Sequence, residues 1–251
     1  MWKDNITFVL VEPREPGNIG ASARALKNMG FRKLALVNPP PVITDDARWL
    51  AHNALDILES ALSYPTLADA IRESAVVVGT TRRTGRKRGA IFTAHEGARR
   101  IADIARGNTV ALLFGREDRG LFNDEVDECG FLITIPANRE HPSLNLVQAV
   151  LIMAYELAKT HDGSRESGAG RRPLSKVSLV RHDELTILFD RIAETLRLLE
   201  YIPRGNRDLE HTIMKSIKHF LGRAGLTSWE LQMLHGVCSQ IMKKLGDRGG
   251  R

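Results

Sequence analysis

Val110-Ala-Leu-Leu-Phe-Gly-Arg-Glu-Asp-Arg-Gly-Leu121, Ile133-Thr-Ile-Pro-Ala-Asn138 and Pro142-Ser-Leu-Asn-Leu146 crowd three turns into one short region. The first two are apolar, β-type runs that each stop at a Gly- or Pro-marked loop. The third leads into a helical pattern. In an open α/β sheet, ligands bind in the crevice at the carboxyl ends of the strands, so turns this close together point to a single built site. Gly115 and Gly120 permit close backbone approach there, and Arg116 and Glu117 set charge beside it. Taken one at a time, the same turns also fit ordinary βα connections.

Outward from this region, apolar runs predict strands at Ile6–Glu12, Lys33–Val37, Ala75–Gly79, Thr109–Phe114 and Phe131–Ile135. They are continuously apolar and β-branched rather than alternating, as expected of parallel strands buried on both faces. Helical patterns lie between them at Ile19–Met29, around Asp46–Ser60 and at Thr93–Arg106, and another runs from Leu146 to Lys159. Thr93-x-x-Glu96 forms a capping box, and Gly107-Asn108 closes that helix. The alternation predicts a doubly wound α/β domain over residues 1–160. Residues 161–180 begin with a Gly- and Ser-rich stretch, His161 to Pro173, and predict a flexible linker. Over 181–251, three apolar stripes predict a small helical bundle: Leu185, Leu188, Phe189, Ile192, Leu196 and Leu199; Ile213, Ile217, Phe220 and Leu221; and Leu231, Leu234, Cys238, Ile241 and Leu245.

At 251 residues, 43% hydrophobic and 26% charged, the chain has the composition of a soluble globular protein with one sizeable core and an appendage. Its charge is uneven. Residues 1–160 hold 20 basic against 19 acidic side chains, and residues 161–251 hold 16 against 11, so most of the net +6 lies in the tail. Arg82-Arg-Thr-Gly-Arg-Lys-Arg88 concentrates five basic residues just after a strand, over the expected crevice. Such a run fits a solvated loop, and equally a phosphate-binding one. Cys129 and Cys238 lack a CxxC or a His at ligand spacing, so no metal site is expected and a reducing cytoplasm suits them. The start has no signal-peptide core, and Ile6–Val11 is too short to cross a bilayer. Neither G-x-G-x-x-G after a strand, nor G-x-x-x-x-G-K-[ST], nor H-E-x-x-H occurs, and the histidines are scattered.

Gly115-Arg-Glu-x-x-Gly-Leu121, Ile135-Pro-x-Asn-x-x-x-Pro-Ser-Leu-Asn-Leu146 and, upstream, Asn18-x-Gly20-x-x-x-Arg24 resemble in order and spacing the three signature motifs of the SPOUT (TrmH-like) RNA methyltransferases. The resemblance covers roughly residues 5 to 160. Val9-Leu-Val-Glu-Pro13, Leu36-Val-Asn-Pro39, Val77-Val-Gly-Thr80 and the helical tail agree with the branch that methylates the ribose 2′-hydroxyl of cytidine or uridine in tRNA. The resemblance implies an open parallel sheet with a deep C-terminal trefoil knot, a homodimer, and S-adenosylmethionine bound in the knot. It implies a cofactor pocket of Thr80, Thr81, Arg82, Gly115, Ile135, Ser143 and Leu144, and a tRNA substrate methylated at nucleotide 32 of the anticodon loop. The tail is then a tRNA-binding extension.

A hydroxyl is a weak nucleophile unless its proton is drawn off as the new bond forms. By the motif, Arg24 faces that hydroxyl and the adjacent phosphate. A guanidinium is a poor free base at neutral pH, so its expected role is electrostatic, with a phosphate or water taking the proton. Asn18 and Glu117 are expected to brace Arg24. Ser143 is expected at a helix start, where capping is its ordinary duty and orienting the substrate a compatible one. Arg82, Arg83, Arg86, Lys87 and Arg88, with Arg24, are the expected RNA contacts. Two alternatives stand beside this reading: a 2′-O-methyltransferase for ribosomal RNA or another tRNA position, and a non-catalytic RNA-binding protein on the same fold.

Overall fold

Seven strands form the sheet: β1 (Ile6–Val11), β2 (Lys33–Val37), β3 (Leu62–Tyr64), β4 (Val76–Thr80), β5 (Ile91–Thr93), β6 (Val110–Phe114) and β7 (Phe131–Thr134). They lie in the order β3-β2-β1-β6-β4-β7-β5, and every pair is parallel. This computed structural model describes residues 1–83, 90–138, 140, 143–160, 177–202, 207–223 and 225–246. Ten helices fall within those residues: α1 (Pro16–Asn28), α2 (Asp45–Ala51), α3 (Leu55–Glu59), α4 (Leu67–Ile71), α5 (Ala94–Ala105), α6 (Asn123–Asp127), α7 (Leu146–Lys159), α8 (His182–Leu198), α9 (Arg207–Gly222) and α10 (Ser228–Gly246).

Successive strand residues feed opposite faces. Phe8, Leu10, Leu36, Leu112 and Phe114 join Ile19 and Leu26 of α1, Ile101 of α5 and Val150 and Met153 of α7 in one core. Val9, Val11, Val77 and Leu113 join Ile71 of α4 and Val126 of α6 in the other. Burial on both sides is why the central strands read as unbroken apolar runs. The edge strands β3 and β5 escape that reading, because Leu62-Ser-Tyr64 and Ile91-Phe-Thr93 are three residues long and none of them is buried. The helix expected around Asp46–Ser60 is broken: His52 takes φ +49, a 3₁₀ turn spans His52–Ala54, and α3 follows. α1 starts earlier than its apolar stripe, with Pro16 as its first residue, where the missing N–H costs nothing. Strand order and register establish the open parallel sheet; they do not define a knot.

The tail packs on the opposite end of the sheet from the three quoted turns, beside the amino-terminal ends of β4, β6 and β7. Asn108 donates to the carbonyl of Val177 (3.0 Å) and accepts from the amide of Leu179 (2.8 Å), so the last residues of the expected linker are anchored. Residues 161–176 of that linker lie outside the described residues. Leu185, Leu188, Phe189 and Leu226 form a third core with Ile217, Leu221, Leu231 and Leu234 around it. Phe220, expected on the apolar stripe of α9, is exposed instead. Ion pairs tie the tail down: Glu128 meets His182 (3.1 Å) and Lys218 (2.6 Å), and Asp127 meets Lys215 (2.6 Å) and His211 (3.3 Å).

Burial works against ionisation of Glu128, but hydrogen bonds from His182 and Lys218 outweigh it and bring its pKa down to about 2. A carboxylate with a depressed folded-state pKa stabilises above its unfolded value and loses that contribution as pH falls through the folded one. Between pH 4.5 and 2 the tail should therefore loosen, with a loss on the order of 2–3 kcal/mol. In urea unfolding, Glu128→Gln should be less stable than wild type near pH 6, and the gap should shrink as pH falls through that window. A gap that is the same at pH 6 and pH 3 would contradict this role for Glu128.

Candidate active site

β6, β4 and β7 are neighbours, and their carboxyl ends open into one cleft. It encloses about 810 Å³, part of it open to bulk solvent. At the end of β4, the Thr80 hydroxyl donates to the carbonyl of Leu113 (2.8 Å), and the Thr81 amide donates to the carbonyl of Ile133 (2.8 Å). These two bonds weld the β4 exit to its neighbours on either side. Thr81 then turns the chain, its hydroxyl accepting from the Arg83 amide (3.1 Å). Arg82 and Arg83 both line the cleft and are exposed.

After β6, residues 115–121 form a tight loop. Arg116 and Gly120 bridge antiparallel, the Gly120 amide donating to the Arg116 carbonyl (2.8 Å), and Gly120 takes φ +69. A Cβ on Gly115 would lie 2.1 Å from the carbonyl carbon of Gly120 and 2.2 Å from the amide of Leu121. Only glycine lets the loop close. After β7, Ile135, Ser143 and Leu144 complete the wall, and α7 begins. The cap of α7 is Asn145, which accepts from the Val147 amide (2.8 Å) while Gln148 accepts from the Asn145 amide (3.0 Å). The capping duty expected of Ser143 therefore falls to Asn145, and Ser143 is exposed at the cleft.

All seven residues expected to hold the cofactor, Thr80, Thr81, Arg82, Gly115, Ile135, Ser143 and Leu144, line this cleft. Arg86, Lys87 and Arg88 lie outside the described residues. Glu117 lines the cleft, and its carboxylate accepts from the Asn18 amide group (2.9 Å) and from the backbone of Arg14 (3.1 Å). Asn18 and Glu117, both expected to brace Arg24, bond to each other instead and hold the start of α1. Arg24 is exposed on α1 and is not among the residues lining the cleft of its own chain. Gly20, the glycine of the same motif, is a packing residue: its Cβ would meet the carbonyl oxygen of Ala47 at 2.0 Å, so α2 presses directly on α1.

Glu12, Arg14, Asp118 and Glu125, four residues beside the cleft, were not singled out by sequence as site residues. Arg14 pairs with Asp118 (3.0 Å), and Arg116 is buried between Glu12 and Glu125. The available signal was weak, because a charged residue within a Gly-marked turn reads as solvated. Among the described residues no group of His, Cys, Asp and Glu could hold a metal ion, and no helix is long and apolar enough to cross a membrane. Cys129 and Cys238 are both free and buried. Burial, with the carboxylates around it, raises the Cys129 thiol far above its ordinary value, so that side chain behaves as a small hydrophobe.

The cleft fits S-adenosylmethionine in kind. Phe114, Leu121, Ile133, Ile135 and Leu144 supply apolar walls for an adenosine, and the glycine-closed loop brings backbone to its edge.

Comparison with known proteins gives a consistent set. The model of the SpoU rRNA methylase family matches residues 5–155. A protein of Pectobacterium atrosepticum named tRNA (cytidine/uridine-2′-O-)-methyltransferase TrmJ is 36% identical, covering 96% of this chain and 98% of its own. One of Pseudomonas aeruginosa, named tRNA (cytidine/uridine/adenosine-2′-O-)-methyltransferase TrmJ, is 34% identical over 96% of this chain and 95% of its own. The crystal structure of TrmJ from Z. mobilis ZM4 superimposes with a TM-score of 0.78 at 30% identity, covering 94% of this chain and 98% of that one.

Proposed function

Because this chain belongs to the SpoU rRNA methylase family, we propose that it methylates a ribose 2′-hydroxyl of tRNA, at cytidine or uridine 32 of the anticodon loop, using S-adenosylmethionine. The observation that carries the reading is the convergence of all seven motif residues on one cleft at the ends of β4, β6 and β7. Relatives named as tRNA 2′-O-methyltransferases, matched over nearly their whole length, support the substrate.

When bound, S-adenosylmethionine supplies a methyl group already activated on a sulfonium sulfur. The protein's task is then chiefly positioning. Phe114, Leu121, Ile135 and Leu144 hold the adenosine. Arg24 lowers the pKa of the attacking hydroxyl and stabilises the oxyanion developing on it, while a phosphate or water receives the proton. Ser143, freed from capping, orients the ribose. Arg82 and Arg83, with Arg86, Lys87 and Arg88, bind the RNA backbone. Residues 181–251 act as a further RNA-binding unit that carries most of the net charge. A tRNA substrate places the enzyme in the cytoplasm.

A homodimer completes the site. Leu151 and Tyr155 are exposed on the outer face of α7, beside α1, on which Arg24 is also exposed. A second copy seated there covers the apolar pair and brings Arg24 of one chain to the cleft of the other.

Unmodified tRNA transcripts incubated with the protein and methyl-labelled S-adenosylmethionine should acquire one 2′-O-methyl at nucleotide 32, mapped by mass spectrometry of nuclease fragments. The family description names ribosomal RNA, which gives the second reading. Label confined to ribosomal RNA, at another tRNA position or on a base atom would replace the proposal, and the absence of transfer to any RNA would favour a binding protein.

A further inference from the structure

Arg116 is the most deeply enclosed cation beside the cleft, its side chain 5% exposed. Its Nε donates to Glu12 (2.9 Å), and its two terminal nitrogens grip both oxygens of Glu125 (3.0 and 2.9 Å), one of them also meeting Glu12 (2.8 Å). Phe122 lies against the guanidinium with its centroid 3.9 Å away, and the Phe122 amide donates to Glu125 (2.7 Å). Burial alone would push the Arg116 pKa down, but the two carboxylates more than reverse it. The hydrogen bond from Arg116 in turn holds Glu12 below the usual carboxylate range.

A buried ion pair is weak evidence for stability, since well-packed apolar side chains often do as well. What it provides here is connection. Glu12 ends β1 with φ +46, a left-handed conformation that a non-glycine residue keeps only when its surroundings enforce it. Glu125 lies in the first turn of α6. Arg116 therefore joins the exit of β1, the loop that walls the cleft and the start of α6. The next rungs follow in register: Glu117 accepts from Arg14 and Asn18, and Asp118 pairs with Arg14. Residues 12, 14 and 18 are thus cross-linked to residues 116, 117 and 118, which ties the cofactor loop to the helix that carries Arg24.

We propose that Arg116 is a positioning residue with two separable arms: its Glu125 arm holds the 115–121 loop shut for the cofactor, and its Glu12 arm fixes α1 on the body of its own chain, and with it the Arg24 that reaches the cleft of the other copy. This rests on the methyl-transfer reading above. Misplacement of a reacting group by about 1 Å is worth up to about 100-fold in rate, so each arm has a measurable effect.

The test compares Glu12→Gln, Glu125→Gln and Arg116→Lys with wild type, measuring S-adenosylhomocysteine affinity by calorimetry, kcat and KM on tRNA, and thermal unfolding. Glu12→Gln should lower kcat about tenfold with cofactor affinity within about twofold of wild type. Glu125→Gln should weaken cofactor affinity about tenfold. Arg116→Lys should show both defects, because an ammonium lacks the planar fork that serves two carboxylates. Should the buried Glu125 variant fail to fold, the decision falls to Glu12, which is half-exposed. Unchanged kcat in a folded Glu12→Gln, or kcat and cofactor affinity falling together with stability, overturns the proposal. A wild-type protein that neither binds S-adenosylhomocysteine nor methylates tRNA would instead overturn the functional reading.

Discussion

Arg24→Ala is expected to lower kcat by about 100-fold or more while leaving S-adenosylmethionine binding and folding nearly intact. The expectation follows from its surroundings. Arg24 is exposed on α1 and lines no part of its own cleft, so its removal empties no core and touches no cofactor wall. Any loss must come from what it does to the substrate. A cation beside a developing alkoxide stabilises the transition state more than the ground state, which puts the effect in kcat. Arg24→Lys should recover only part of the rate, since it keeps the charge without the bidentate geometry that spans hydroxyl and phosphate. Single-turnover kinetics with saturating cofactor would check this. Near-normal turnover in the alanine variant would remove Arg24 from the mechanism.

Gly115→Ala should act on the other half of the site. The added methyl would lie 2.1 Å from Gly120 and 2.2 Å from Leu121, both backbone contacts that cannot rotate away. Overpacking of this kind costs about 1–3 kcal/mol, and here the loop that yields lines the cleft proposed for the cofactor. Cofactor affinity should fall by about 10- to 100-fold, at about 1.4 kcal/mol per factor of ten. Gly120→Asn provides the contrast: no atom lies within 4 Å of a Cβ there, and asparagine tolerates the left-handed backbone better than other side chains, so its effect should be small. Equal affinities for wild type and Gly115→Ala, by calorimetry, would show that the loop is not a cofactor wall. The two variants, assayed at a cofactor concentration that leaves both impaired, also test the dimer. Mixed and allowed to exchange, Arg24→Ala and Gly115→Ala should regain activity, because one intact cleft then faces one intact Arg24 from the other chain. No recovery, with exchange demonstrated, would place Arg24 and the cleft in the same copy.

The central sheet was legible because its strands are buried on both faces, leaving unbroken runs such as Val110–Phe114. β3 and β5 were not, because a three-residue edge strand is defined by its neighbour's hydrogen bonds and carries too little apolar pattern of its own. The lining of the cleft was legible through resemblance, since all seven residues expected around the cofactor face it. Its supports were less so. The pairing of Arg116 with Glu12 and Glu125 joins residues far apart in the chain, and local sequence offers no sign of such a partner. Asn18 and Glu117 were expected to brace Arg24, yet they bond to each other at the first turn of α1. The docked tail was missed in the same way: Asp127 and Glu128 look like surface acids until α8 and α9 arrive with His182, His211, Lys215 and Lys218.

The strand order carries a consequence for synthesis. β1 leaves the ribosome before the other strands of the sheet, but one of its two sheet neighbours is β6, with Ile6 opposite Val110. The middle of the sheet therefore cannot close until about a hundred further residues have been made, roughly 5 to 20 s at ordinary translation rates. Until then the edge of β1 that β6 covers in the finished sheet has no partner, the kind of edge that recruits other chains. Parallel, long-range pairing of this kind is also slow once the strands are present. The nascent protein is thus most exposed to aggregation before β6 emerges, and holdase chaperones that shield an apolar strand edge should improve its yield more than faster unfolding protection of the finished fold.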